Sequence, residues 1–236
     1  MQNRPAAQAG RLLCLVFLWR RAVSTRAGRR WLLRMTISQR INVGLGRVPA
    51  WPLYIVGALP PVWWFYLGLT GGLGVEPIEK LEHKLGELAL QTLIVVLAVT
   101  PLRKWTNINL TKFRRALGLL AFYYVTCHLL VWLILDVQIL SEIWKDILKR
   151  PYITIGMIGF LALLPLAVTS NNLSIRKLGP KRWRRLHQVT YIAAILGAVH
   201  FVMLAKGFQI EPLIYLFLIL GLLAARLTLP RRAYAS

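Results

Sequence analysis

The chain has 236 residues, of which 57% are hydrophobic and nine are tryptophan, and its formal net charge is +22. The apolar fraction excludes an ordinary soluble domain and favours an integral membrane protein. The positive charge does not indicate a nucleic-acid binder, because Lys and Arg cluster between apolar runs, where membrane proteins carry the charges of their cytoplasmic loops.

The first 34 residues form a basic tail with eight arginines and no acidic residue. Its apolar piece LLCLVFLW is too short to cross a bilayer, which takes about 20 residues. Such a tail resembles a transit peptide, and the alternative is that translation begins at Met35. Either interpretation leaves residues 1–34, disordered or upstream of the start, outside the fold and assigns 35–236 to one membrane domain.

Six segments that are apolar enough to cross a bilayer follow the tail. They are residues 51–69, 85–102, 116–135, 152–169, 187–205 and 212–227. The stretches TGGLGVEP, KRP and KLGPKRWRR mark breaks between them, since glycine and proline tend to end helices. The sequence therefore predicts an all-α protein, an integral membrane bundle of six transmembrane helices.

The loops between these segments alternate in charge. Loops 103–115 and 170–186 contain basic residues and no acidic ones, whereas loop 70–84 contains three glutamates and loop 136–150 is mixed. Cytoplasmic loops carry the excess of Lys and Arg in membrane proteins. The pattern therefore places the two basic loops and both termini in the cytoplasm.

Two histidines reach similar depths in the predicted bundle. His128 lies 12 residues into the third segment and His200 lies 13 residues into the fifth, which is about 18 and 20 Å from the cytoplasmic side. Ionisable residues inside a bilayer are costly and usually functional. Two imidazoles at one level on separate helices can hold a planar metal cofactor such as haem. The alternative is that each histidine is a polar residue hydrogen-bonded to a neighbouring helix.

His187 opens the fifth segment near the opposite face of the membrane, so the stretch 187–200 could hold two stations of an electron path. His83 lies in the acidic loop, where a surface position is the simpler interpretation. Arg114 and Arg115 belong to a basic cluster on the cytoplasmic side. They can anchor the topology, and they can also bind haem propionates, a flavin phosphate or a quinone head group.

Five stretches together resemble the MsrQ family, formerly called YedZ. They are GGLGVEPIEKLEH (71–83), TPLRK (100–104), RRALGLLAFYYVTCHL (114–129), KRPYITIG (149–156) and KLGPKRWRRLHQVTYIAAILGAVHF (177–201). Members of this family are haem-binding membrane subunits of bacterial methionine-sulfoxide reductase systems. The resemblance implies that residues 35–236 are a ferric-reductase-like transmembrane haem domain in the bacterial inner membrane.

The resemblance also implies cofactors and partners. Haem b and FMN are attributed to the family, which passes electrons from the quinone pool or a cytosolic flavin reductase to MsrP. That partner is a periplasmic molybdopterin enzyme that repairs methionine sulfoxide in proteins, so the sulfoxide-reducing site is expected there and not on this chain. The three motif histidines of the family match His128, His187 and His200. Arg115 stands where two-haem members of the superfamily have a fourth histidine, so the haem between His128 and His200 is the firmer expectation. His187 is expected to bind the iron of a second haem, to hold a propionate, or to help form a flavin or quinone site.

Two other functions fit the same residues. A small transporter could use His128 and His200 as an intramembrane proton relay. A ferric reductase of the same fold would need a nicotinamide-binding domain or partner, and the chain has no GxGxxG motif after a strand. Bound haem would distinguish the electron-transfer interpretation from the transporter.

Overall fold

The computed structural model describes residues 36–205 and 209–228, and this part of the chain is all-helical. Its α-helices are α1 (Ile37–Arg47), α2 (Pro52–Leu69), α3 (Pro77–Thr106), α4 (Arg114–Val131), α5 (Leu140–Lys149), α6 (Pro151–Val168), α7 (Asn172–Leu186), α8 (Val189–Leu204) and α9 (Ile210–Thr228). A 3₁₀ turn, Thr111–Phe113, leads into α4, and a π-helical stretch, Trp132–Val137, extends it. The predicted basic tail lies outside the described residues.

Each of the six predicted segments coincides with a helix. By length and composition, α2, α3, α6 and the extended α4 could cross a membrane, and α7 with α8 forms a fifth candidate bent by 42°. The all-α class is therefore confirmed, with four to five candidate spans in the described part of the chain. The count of six spans and the cytoplasmic position of both termini stay predictions.

The loops 136–150 and 170–186 are largely helical, because they contain α5 and α7. A search for apolar runs does not detect such helices, because polar residues interrupt their apolar ones. The Asn171 side chain caps α7 by accepting a hydrogen bond from the backbone N–H of Ser174 at 2.7 Å. A kink interrupts α7 at Gly179, whose φ of 76° suits glycine, directly before Pro180. Two helical pieces therefore meet at Gly179, and the break predicted at 177–185 is confirmed.

The core of the bundle lies around α3. Leu90 and Leu97 of α3 pack with Ala194 and Ala198 of α8 and with Ile219 of α9. A second cluster joins α3 to α4, α6 and α8 and consists of Leu93, Ala121, Leu163, Leu166 and Ala193. Small residues let transmembrane helices approach closely, and within the described residues α8 makes its closest backbone approach to α6.

The chain divides into two compact units. In the smaller one, α1 is grouped with Thr106–Ile108, and the Asn42 side-chain amide donates a hydrogen bond to the Asn107 carbonyl at 2.8 Å. The larger unit contains α2, nearly all of α3, and the helices from α4 onward. All the predicted site residues belong to the larger unit.

Candidate functional site

The structure brings His128 of α4 and His200 of α8 together. Their ring centres are 6.2 Å apart, and the ring planes make an angle of 76°. The two side chains come from helices that are far apart in sequence, so the contact depends on the packing of the whole bundle. The equal depths counted from the sequence agree with this contact.

Each of the two imidazoles is anchored to the backbone of a further helix. His128 Nδ1 lies 3.0 Å from the Glu82 carbonyl oxygen in α3, and His200 Nδ1 lies 2.7 Å from the Tyr152 carbonyl oxygen in α6. A carbonyl oxygen can only accept, so both Nδ1 atoms donate and carry the ring proton. The lone pair of each neutral ring is therefore on Nε2, the nitrogen that remains for a metal.

A glycine lies against each of these rings, one helical turn after the carbonyl that accepts from it. A Cβ atom added at Gly156 would lie 2.9 Å from Nδ1 and 3.0 Å from Cε1 of His200. A Cβ atom added at Gly86 would lie 3.3 Å from Nδ1 and 3.4 Å from Cε1 of His128. Any other residue would occupy space that the imidazoles use, so the two glycines let the rings lie against the neighbouring helices.

The spacing of the pair fits two ligands of one metal. Imidazole–metal bonds are about 2.1 Å long and a ring nitrogen lies about 1.1 Å from the ring centre, so imidazoles on opposite sides of a metal have centres about 6.4 Å apart. The observed separation is 6.2 Å. Metal-binding histidines usually donate their other N–H to a carbonyl or carboxylate, as both rings do here.

The donor set suits a macrocycle better than a bare ion. Within the described part of the chain, no group of three or more His, Cys, Asp or Glu side chains could hold a metal ion. Haem iron takes four nitrogens from its own ring and needs only one or two axial protein ligands. Two imidazoles in an apolar helix bundle therefore fit haem on the chemistry of the side chains alone.

His187 lies between α7 and α8, two residues before α8 begins, and is held differently. Its Nε2 is 3.1 Å from the Thr169 hydroxyl, which itself donates to the Pro165 carbonyl at 2.6 Å. The hydroxyl proton is thereby used, so His187 donates from Nε2. The ring also stacks on Trp183, with centres 3.9 Å apart. The Thr169 hydroxyl thus engages Nε2, the nitrogen that binds a metal in the other two histidines' proposed role. Metal binding by His187 stays a prediction.

The predicted basic residues Arg114 and Arg115 open α4, 14 and 13 residues before His128 in the same helix. Their guanidinium charges are close enough to act on the His187 imidazole. Arg114 Nη1 is also 3.4 Å from the Thr100 hydroxyl of α3, whereas Arg115 is exposed. His83 is exposed, in agreement with its interpretation as a surface residue.

Sequence reasoning missed the residues that hold the histidines. The Glu82 and Tyr152 carbonyls carry no signal, because every residue has a carbonyl. Gly86 and Gly156 do carry one, since an isolated glycine inside a helix weakens it and calls for a packing reason. The pairing of each glycine with a histidine required the structure.

Comparisons with known proteins define the class of the chain. Residues 85–198 match a family described as ferric reductase like transmembrane component. The matched region contains His128 and His187 and ends two residues before His200. Together with the long apolar helices, this match identifies a multi-pass membrane protein of the ferric-reductase-like class.

Curated relatives define the family more closely. A protein of Agrobacterium fabrum is 51% identical over 76% of this chain and 84% of its own length. Proteins of Brucella ovis and Brucella canis are each 52% identical over 78% of this chain and 84% of their own length. All three are named protein-methionine-sulfoxide reductase heme-binding subunit MsrQ. The chain belongs to the MsrQ family.

Proposed function

We propose that this protein is a haem-binding membrane subunit that carries electrons to a methionine-sulfoxide reductase partner. The observation that carries the proposal is the pair His128 and His200, with ring centres 6.2 Å apart and both Nδ1 atoms bonded to backbone carbonyls. The names of the relatives, which describe a heme-binding subunit, support the same cofactor.

In this proposal the Nε2 atoms of His128 and His200 would hold the iron of haem b. Haem iron supplies reversible one-electron chemistry when it is bound. The Glu82 and Tyr152 carbonyls hold the protons on Nδ1 and so keep each Nε2 lone pair available. Both rings are partly buried, each between its own helix and the helix whose carbonyl accepts its hydrogen bond.

The proposed topology has six spans, both termini in the cytoplasm and a bacterial inner membrane as the location. It rests on the basic loops 103–115 and 170–186, which the positive-inside rule places in the cytoplasm. His187 then lies at the cytoplasmic face, and the pair of His128 and His200 lies toward the periplasm. Electrons would enter at the cytoplasmic face, near His187, and leave from the His128 and His200 pair on the periplasmic side.

The proposed partners follow from this direction. An MsrP-like periplasmic molybdopterin reductase would take the electrons and carry the sulfoxide-reducing site. The donor would be the quinone pool or a cytosolic flavin reductase, and FMN is proposed as a second cofactor. The candidates for holding an anionic or polar group of a donor, a flavin or a haem are His187, Arg114 and Arg115, because their charges and hydrogen-bonding groups lie together. A second iron is the alternative proposed for His187.

Absorbance spectra of the detergent-purified protein test the haem proposal. We expect a low-spin b-type spectrum that changes on dithionite reduction and is lost in both His128→Ala and His200→Ala. His83→Ala is the matched control, because His83 is an exposed histidine in the same bundle. A wild-type protein that stays colourless after expression with ample haem would contradict the proposal and favour a transporter with a histidine proton relay.

A further inference from the structure

We propose that Gly86 and Gly156 are positioning residues that set the rotation of the His128 and His200 rings about their bonds to iron. This inference rests on the proposed haem ligation by the two histidines. It adds two residues that do not touch the iron but determine how its ligands are oriented.

The same arrangement occurs twice in the bundle. In α3, the carbonyl of Glu82 accepts from His128 and Gly86 lies against that ring. In α6, the carbonyl of Tyr152 accepts from His200, and Gly156 lies against the His200 ring. Each glycine follows its carbonyl by four residues, which is one turn of helix, so the carbonyl and the bare Cα face the ring together.

The contacts leave the rings little freedom to turn. At Gly156 an added Cβ would lie 2.9 Å from His200 Nδ1, a distance at which the ring or the helix must move. Moving the ring away would also stretch its 2.7 Å hydrogen bond to the Tyr152 carbonyl. At Gly86 the corresponding contact is 3.3 Å, so His128 has to give way by only a small amount. The effect of alanine should therefore be larger at Gly156 than at Gly86.

A glycine in the middle of a helix weakens it, and alanine there normally stabilises the protein. Gly159 is the matched control, because it lies in α6 three residues after Gly156 and is buried. A Cβ atom at Gly159 would meet the Leu196 Cβ at 3.5 Å, an ordinary van der Waals distance. Replacement of Gly159 by alanine therefore tests helix propensity and packing without touching an axial ligand.

The experiment compares Gly156→Ala, Gly86→Ala and Gly159→Ala in the full chain. Haem affinity is measured by titration of the haem-free protein, and the ferric low-spin signal is recorded by electron paramagnetic resonance. That signal responds to the angle between the two imidazole planes, which is 76° here. A merely structural role for the glycines would leave the signal unmoved in any protein that still folds.

We expect Gly156→Ala to lower haem affinity by about 10-fold or more, as loss of a partner behind a metal ligand does, and to shift the resonance signal. Gly86→Ala should shift the signal less, and Gly159→Ala should match the wild type in both readouts.

Unchanged signals in both Gly156→Ala and Gly86→Ala, or equal shifts in Gly159→Ala, would overturn the inference. If Gly156→Ala does not accumulate, Gly86→Ala decides alone, because its contact is looser. A wild-type protein without haem would overturn the proposed function and this inference together. Loss of haem in the His128 and His200 variants, combined with silent glycine variants, would overturn the inference only.

Discussion

A histidine lies near each end of α8, His187 two residues before its start and His200 in its last turns, and the two are anchored through opposite nitrogens. His200 donates from Nδ1 to the Tyr152 carbonyl, which leaves the Nε2 lone pair for a metal. His187 donates from Nε2 to the Thr169 hydroxyl and stacks on Trp183. The nitrogen that donates the hydrogen bond therefore differs between the two rings. His200 is arranged to bind iron, and His187 is arranged to bind a neighbouring side chain.

The side chains around His200 and His187 also differ, and they too favour iron binding at His200 only. A second imidazole, that of His128, lies 6.2 Å from His200, whereas the charges that act on His187 are the guanidinium groups of Arg114 and Arg115. Positive charge suits an anionic group such as a propionate or a phosphate, and it does not favour a second cation. The two histidines therefore have different surroundings and suit different tasks, although both belong to the same apolar segment of the sequence.

The largest expected difference between the two ends is in haem content. We expect His200→Ala to lose the low-spin haem and His187→Ala to keep it, because only His200 presents a free Nε2. Haem per polypeptide, measured as the pyridine haemochrome, checks both variants. A His187→Ala protein with half the wild-type haem would break the comparison, since it would mean that His187 binds a second haem.

A smaller effect is expected at Arg226 of α9, which braces the His187 end of α8. Its Nη1 donates to the Tyr191 hydroxyl at 2.7 Å, and its Nη2 donates to the Leu97 carbonyl at 2.5 Å. That carbonyl lacks its usual helical donor, because Pro101 stands four residues later and has no N–H. The guanidinium thus satisfies a backbone group that proline leaves open.

Arg226→Met should therefore lower the free energy of unfolding by about 1–3 kcal/mol, the cost of leaving a buried acceptor unsatisfied. Unfolding in mixed detergent micelles measures the change. Tyr191→Phe is the matched control, because it removes one of the two hydrogen bonds and should cost only about 1 kcal/mol. Equal losses in both variants would show that the Leu97 carbonyl contributes nothing. Haem bound at the other end of α8 should be retained in both variants.

Hydropathy located the helices well where they are apolar along their whole length. The prediction 152–169 differs by one residue at each end from α6, Pro151–Val168. The prediction 85–102 missed the first two turns of α3, because PIEKLEHK is polar and resembles a loop. Glu82 lies in the missed part, so its carbonyl could not have been assigned to a helix from the sequence.

The candidate site was predictable only in part. Counting residues along two apolar segments placed His128 and His200 at one level, since rise per residue is fixed in a helix. The anchors of the two rings were not predictable, because they depend on which helix packs beside which. Hydropathy does not specify neighbours, and a backbone carbonyl or a glycine reveals its role only through contact. The same limit hid Thr169, which distinguishes His187 from His200.

The smallest predicted effect concerns Thr169, which holds His187. Thr169→Val removes the hydroxyl that accepts from His187 Nε2 and donates to the Pro165 carbonyl, at a cost of about 1 kcal/mol in the free energy of unfolding. Thr92→Val is the matched control, because the Thr92 hydroxyl bonds the Leu88 carbonyl of its own helix. The low-spin haem spectrum should be unchanged in both variants. A change of that spectrum in Thr169→Val alone would mean that the His187 end of α8 communicates with the histidine pair, and the two ends could then no longer be treated as separate sites.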